Sequence, residues 1–260
     1  MLKLENLSLH HGNTHLLEDL SLHVQSGDFV AVIGENGCGK STLLSCIAGL
    51  HKHYRGTLLF NGVHLHQWHI KQLAKFRAYV NQHSQLQFAF LTEEVLQLGR
   101  ANQLESQQQS SAVICEIAEM LSISHLFGRD IRTLSGGERQ RVFIAKALIQ
   151  LVPQQNEKIT NYKDKLLLLD EPTSALDFRF QKAMMDLVHS FCQQGLAVIC
   201  VSHDINLVLP YAKEVMLLAN GRCLASGSVG QVITSENLRQ CFGITPRLIT
   251  QTGAAPYITH

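Results

Sequence analysis

Eight consecutive residues, Gly34-Glu35-Asn36-Gly37-Cys38-Gly39-Lys40-Ser41, have the spacing GxxxxGK[ST]. They follow a continuous apolar run, Phe29–Ile33, and open a helical segment, which is the context a phosphate-binding loop requires. Glycines at these positions let backbone N–H groups curl around a phosphate, and the helix N-terminus adds its dipole. In such a loop Lys40 reaches the β- and γ-phosphates of a nucleoside triphosphate. The Ser41 hydroxyl ligates Mg²⁺, with Thr42 next in the same set. Cys38 lies beside Lys40 at the helix start, where both neighbours are expected to lower its pKa and raise its reactivity.

A second apolar run, Leu166–Leu169, delivers Asp170-Glu171-Pro172 to its C-terminal end, where open α/β sheets bind their ligands. Asp170 is read as the holder of Mg²⁺ and Glu171 as the general base that polarises an attacking water. A third segment, Leu134-Ser135-Gly136-Gly137-Glu138, offers another helix start with N–H groups open to a phosphate. One chain therefore carries two phosphate-seeking helix starts. This third segment resembles the signature motif of the ATP-binding cassette family, usually LSGGQ or LSGGE. The resemblance implies ATP as substrate with Mg²⁺, and a head-to-tail homodimer. Each ATP would lie between the Gly34–Ser41 loop of one subunit and Ser135, Gly136, Gly137 and Glu138 of the other.

The family's remaining elements appear in order. Gln82, in Tyr79-Val80-Asn81-Gln82, matches the loop glutamine implied to contact Mg²⁺ and to link the core with a helical lobe. Ser174-Ala175-Leu176-Asp177 resembles the segment that crosses the dimer interface. His203, in Val201-Ser202-His203-Asp204, matches the switch histidine that hydrogen-bonds the γ-phosphate. The family stacks adenine on an aromatic residue just before the first glycine. His10-His11-Gly12 stands there, so His11 is the residue expected against adenine, through a ring that stacks less well than phenol.

Leu65–Val80, Val95–Arg100, Tyr211–Val215 and Leu238–Ile244 resemble the importer branch that carries iron chelates, vitamin B12 and haem. Within it, the polar insertion Pro153–Lys165 is most similar to the ATPases of haem importers. The branch implies two integral-membrane permease subunits, an extracytoplasmic substrate-binding protein, and a station at the cytoplasmic face of the inner membrane. Import of a ferric siderophore or of vitamin B12 stays open beside haem. So does a cassette serving an exporter. The other competing class is a soluble cassette ATPase acting on nucleic acid or ribosomes. Such proteins carry coiled-coil arms or two cassettes per chain, and neither is visible.

These groups need an α/β scaffold to hold them. Short strands are expected at Leu2–Leu9, Leu20–Val24 and Phe29–Ile33, a hairpin around Asn61-Gly62, and buried strands at Leu166–Leu169 and Leu196–Val201. Helices are expected at Ser41–Ala48 and from Ser135 to about Leu151. Between them Val113, Ile117, Met120 and Leu121 recur at helical spacing. The resulting expectation is a P-loop NTPase core with a mostly parallel sheet, an N-terminal antiparallel part and an inserted helical lobe. All 260 residues form one domain: core about 1–92 and 135–243, lobe 93–134, tail 244–260.

Composition narrows the class. A net charge of +1 gives no basic stripe for nucleic acid, and no apolar run reaches the roughly 18 residues of a membrane-spanning helix. The opening MLKLENLSLHHG alternates apolar and polar residues without a signal-peptide core, which suggests a cytosolic chain. The seven cysteines lie mostly in apolar stretches without metal-like spacing and read as reduced, buried thiols. His51/His53 and His64/His66/His69 read as surface histidines.

Overall fold

The computed structural model describes residues 1–12, 14–82, 88–153, 162–244, 246–249 and 255–259. Most of the Pro153–Lys165 insertion therefore lies outside the described residues. The chain opens with β1 (Leu2–His11) and β2 (Thr14–Val24), paired antiparallel from Leu2↔Val24 to His11↔Thr14. The second strand is longer than the expected Leu20–Val24, because a register shift at Asp19 (φ 54°) breaks the alternation of buried residues while Leu17 and the pairing with β1 carry the strand on to the hairpin turn. After β3 (Phe29–Ile33) and α1 (Lys40–Ile47), β4 (Arg55–Phe60) and β5 (Val63–His64) join these two strands. The order of this antiparallel sheet is β2-β1-β4-β5.

A short α2 (Ile70–Leu73) leads into β6 (Arg77–Val80), and α3 (Thr92–Gln97) and α4 (Gln107–Met120) build the lobe. The chain returns through α5 (Gly136–Leu151), β7 (Leu166–Asp170), α6 (Phe178–Gln193), β8 (Ala197–Val201) and α7 (Ile205–Val208). Next come β9 (Glu214–Ala219), β10 (Arg222–Ser228), α8 (Val229–Val232) and α9 (Ser235–Phe242). A two-stranded hairpin, β11 (Arg247–Ile249) and β12 (Tyr257–Thr259), closes the described chain.

The central sheet runs β10-β9-β3-β8-β7-β6, parallel except for the edge strand β10. All five residues of β3, β7 and β8 are buried, as befits strands covered on both faces. One apolar layer joins this sheet to the lobe, α5 and α6; the other packs it on α1 and the antiparallel sheet. The three parallel strands thus end together, with their connecting loops on one side.

In α4 the buried stripe is Val113, Ile114, Ile117 and Ala118. Met120, expected on it, is 48% exposed: it is the last residue of α4 and falls at the margin of the stripe, on the Val113 side. Two crossings of the chain close the base of the lobe: Thr92 N–H donates to Arg129 O (3.0 Å) and Ile131 N–H to Phe90 O (2.9 Å).

A buried ion pair fixes the lobe to the core. Arg100 and Glu105 are each only 3% exposed at the side chain. Arg100 Nη1 also donates to the carbonyls of Ile149 (2.8 Å) and Val152 (2.7 Å) at the end of α5. The bond from Arg100, with help from the Ser110 hydroxyl, holds the Glu105 carboxyl below its ordinary value of 4.5. Glu105→Gln leaves the guanidinium buried without its counter-charge and is expected to cost about 3 kcal/mol at pH 7. Because the folded pKa is depressed, this stabilisation is present above the unfolded value and is lost as pH falls through the folded one. Urea titrations from neutral pH downward should therefore show the gap between variant and wild type narrowing in acid. A gap that is constant with pH would contradict the ion-pair account.

Candidate active site

The loop after β3 places the phosphate-binding residues over the ends of the parallel strands. Gly39 caps α1 with φ 107°, a conformation closed to other residues, and a Cβ there would lie 2.9 Å from Leu17 Cδ2. The turn thus sits tightly on β2 while its outer face stays open. A cleft of about 440 Å³ opens beside it. Asn36, Gly37, Gly39, Lys40, Ser41 and Thr42 line one wall, and Gln82, Glu171 and His203 face them.

Lys40 is only 5% exposed, and its ammonium donates to the carbonyls of Gly34 and Glu35, 2.7 Å each. A buried cation held by neutral carbonyls at the lip of a cleft is a strong attractor for an anion. Below it, the Ser41 hydroxyl donates to Asp170 Oδ1 (3.0 Å) and the Tyr79 hydroxyl to Oδ2 (3.3 Å). Asp170 is 1% exposed, and burial raises its pKa against these two bonds. A desolvated carboxylate, a hydroxyl and the nearby Gln82 amide make an all-oxygen donor set that fits Mg²⁺.

Glu171 sits one residue further, with its side chain 12% exposed. Its Oε2 accepts from Gln82 Nε2 (2.8 Å) and lies 3.3 Å from His203 Nδ1. The Glu171 backbone is left-handed (φ 49°), which is costly for a residue with a Cβ. Its N–H donates to Val201 O (3.0 Å), and its carbonyl accepts from the Gln140 amide (3.1 Å) and from Ser174. The surroundings over-determine the turn, so the carboxylate is aimed by backbone as well as by side-chain bonds.

Ser135, Gly136, Gly137 and Glu138 do not line this cleft. They form the start of α5, where the Ser135 Oγ accepts from Glu138 N–H (3.3 Å) and the Glu138 carboxylate accepts from Ser135 N–H (2.8 Å). The bond from the Ser135 backbone holds the Glu138 carboxyl below its usual range. This capping box leaves the N–H groups of the two glycines as first-turn donors that the helix itself does not satisfy. Gly137 is needed for a second reason: a Cβ there would lie 2.9 Å from the Ala175 carbonyl. His11 ends β1, exposed and outside the cleft, while its neighbour His10 packs against His15 with ring centroids 4.1 Å apart and planes tilted by 55°.

Two expectations about thiols change. Cys38 is only 6% exposed, and desolvation pushes its pKa up, outweighing the nearby Lys40. Its side chain packs into the apolar layer under the loop, so it is a protected filler rather than an activated nucleophile. Nor are all cysteines buried: Cys115 is exposed and Cys223 half-buried, although all seven are free thiols.

Sequence reasoning missed the work of two residues. Tyr79 was only context for Gln82, yet it bonds Asp170. Gln140 lies just past the Leu134–Glu138 segment, yet it donates to the Glu171 carbonyl and accepts from Ala175 N–H (3.2 Å), so α5, Glu171 and the 174–177 segment share one amide. Its position two residues beyond Glu138, on the helix face turned toward β7, was the available signal.

The comparisons agree with this geometry. The family model described as ABC transporter matches residues 17–174, more than half of the chain. The hemin import ATP-binding protein of Pseudomonas aeruginosa is 38% identical over 244 residues, 94% of this chain and 93% of that protein. A solved ABC transporter described as metal-chelate type, in an inward-facing conformation, superposes with a TM-score of 0.78 at 28% identity, covering 100% of this chain and 95% of that one. A dimeric bacterial ABC transporter cassette superposes with a TM-score of 0.74 at 25% identity, covering 88% of this chain and 98% of that one. A matched family model of this extent, carried by a cleft of this construction, shows that the chain belongs to the ABC transporter family, as one of its ATP-hydrolysing cassettes.

Proposed function

We propose that this cassette is the ATPase subunit of a haem importer. It would act as a homodimer beneath two integral-membrane permease subunits, at the cytoplasmic face of the inner membrane. An extracytoplasmic binding protein would supply the cargo. The observation that carries the cargo reading is identity along nearly the whole chain to proteins named for hemin import. No helix among the described residues is long and apolar enough to cross a membrane, so attachment through partner subunits is the reading that fits.

In this reading Lys40 and the N–H groups of the Gly34–Ser41 loop hold the β- and γ-phosphates. Ser41, Asp170 and Gln82 hold Mg²⁺, which neutralises phosphate charge when bound. Glu171 accepts the proton of the attacking water, and His203 bonds the γ-phosphate. Ser135, Gly136, Gly137 and Glu138 serve the partner's nucleotide, and His11 lies against adenine.

The test is transport by the complete complex in liposomes, with haem, a ferric siderophore and a corrinoid offered at equal concentration. ATP-dependent accumulation of haem, abolished by Glu171→Gln, is expected. The metal-chelate neighbour makes the siderophore the informative competitor. Accumulation of the siderophore or the corrinoid alone would overturn the haem assignment and leave the ATPase assignment intact.

A further inference from the structure

The C-terminal hairpin is clamped to the helix that follows the switch histidine. Asn206 lies in the first turn of α7, three residues after His203. Its Nδ2 donates to the Ile258 carbonyl (2.9 Å), and its Oδ1 accepts from the Ile258 N–H (2.8 Å). One side-chain amide therefore satisfies both backbone groups of a single residue, as a neighbouring strand would. The pairing pattern explains how. Ile258 is the middle residue of β12, opposite Leu248, with Arg247↔Thr259 and Ile249↔Tyr257 on either side. In an antiparallel ladder such alternate residues turn their N–H and C=O outward, and here they turn toward Asn206.

A hairpin of two three-residue strands has little stability of its own, so its order comes from what it docks on. Leu248, Ala255 and Ile258 pack on the same apolar layer as Ile205 and Leu207 of α7. At the same N-terminal end of α7, Asp204 caps the helix by accepting from Leu207 N–H (3.1 Å) and is itself bonded to Ser202 Oγ through its N–H (3.0 Å). His203 lies between these two residues, with its side chain 57% exposed and, among the described residues, the Glu171 carboxylate 3.3 Å away as its polar partner. Little in its own side chain fixes its position. The helix after it does, and the chain terminus braces that helix.

We infer that Asn206 is a positioning residue for ATP hydrolysis, which sets His203 against the γ-phosphate by holding α7 to the C-terminal hairpin at Ile258. The inference rests on the reading of His203 as the γ-phosphate ligand. Loosening the clamp lets the histidine wander in the step that needs it most, while nucleotide binding through Lys40 and the phosphate loop is untouched. Asn206→Ala removes the clamp from the helix side. Ile258→Pro removes the donated N–H from the hairpin side.

The experiment is steady-state ATPase kinetics on the full chain, as a double-mutant cycle, with the same two substitutions repeated in a His203→Ala background. Each single variant should lower kcat about three- to tenfold, the scale of one or two lost hydrogen bonds, with KM for ATP changed less than twofold. The double variant should be no slower than either single one, since both cut the same link. Neither should slow the His203→Ala enzyme further. In hydrogen exchange, Asn206→Ala should speed the Ile258 amide while the amides of β7 and β8 keep their protection.

An unchanged kcat with the Ile258 amide freed would overturn the inference. So would multiplying effects in the double variant, or full slowing in the His203→Ala background. If His203→Ala itself hydrolyses ATP at the wild-type rate, the underlying reading of His203 fails, an outcome separate from failure of the clamp.

Discussion

Glu171→Gln is expected to lower ATP hydrolysis by roughly 10²–10⁴, about 3–5 kcal/mol of barrier, while ATP binding persists. The substitution keeps the length and the oxygen that accepts from Gln82, so the 2.8 Å bond and the shape of the cleft survive. What disappears is the ability to take a proton from water. Ground-state contacts are made elsewhere, by the buried Lys40 ammonium and the loop N–H groups, so affinity should be little altered. Lys40→Ala should show the opposite split, with nucleotide affinity lost first. The two variants can be compared by a fluorescent nucleotide titration beside a phosphate-release assay. Turnover near the wild-type rate in Glu171→Gln would remove the carboxylate from the chemical step.

The left-handed backbone at Glu171 adds a constraint that side-chain logic alone does not supply. A residue held at φ 49° by bonds from Gln140 and Ser174 to its carbonyl, and by its own N–H donated to Val201 O, has its Cα–Cβ vector fixed before any rotamer is chosen. Gln140 belongs to the helix that begins with the signature serine and also holds Ala175. A shift at the start of α5 would thereby reach Glu171, the proposed general base, through a single amide. The amide thus joins the helix that Ser135 caps to the wall of the cleft facing Lys40.

The parts of the fold legible in the sequence are those whose burial is total. Phe29–Ile33 and Leu166–Leu169 read as strands because both faces are covered, so every residue is apolar. The start of β2 was invisible, since Thr14 and His15 are exposed and pair only because β1 lies beside them. Both β10 and the C-terminal hairpin escaped notice for a similar reason. Residues 222–228 end in Ser226-Gly227-Ser228 and none of them is fully buried, and residues 257–259 are held by an amide 52 positions away. The residues of the phosphate loop were legible by type, but the state of Cys38 was not. Its neighbours along the chain argue for a lowered pKa, and only the folded layers show that desolvation wins.

Mixing two inactive variants should restore hydrolysis. Within one chain the Gly34–Ser41 loop and the Ser135–Glu138 segment stand apart, and only the first lines the cleft. The first-turn N–H groups of Gly136 and Gly137, which the helix does not satisfy, would then serve a nucleotide held by a second copy. A two-fold dimer pairs each loop with the partner's signature. Lys40→Ala destroys the first half of each site. Ser135→Arg fills the second half with a bulky side chain and should abolish activity even with the loop intact. Since Ser135 also caps α5, its loss costs about 1 kcal/mol of stability, and a melting curve must show that the variant is folded. In a heterodimer both lesions fall in one composite site and the other site is whole. Equal mixing at random makes half the dimers hybrid, so about a quarter of the wild-type sites should return if sites act independently. The recovered rate should also rise with total protein more steeply than linearly. Activity of either variant alone, or a mixture as silent as its components, would mean that each chain completes its own site, and the sandwich would have to be abandoned.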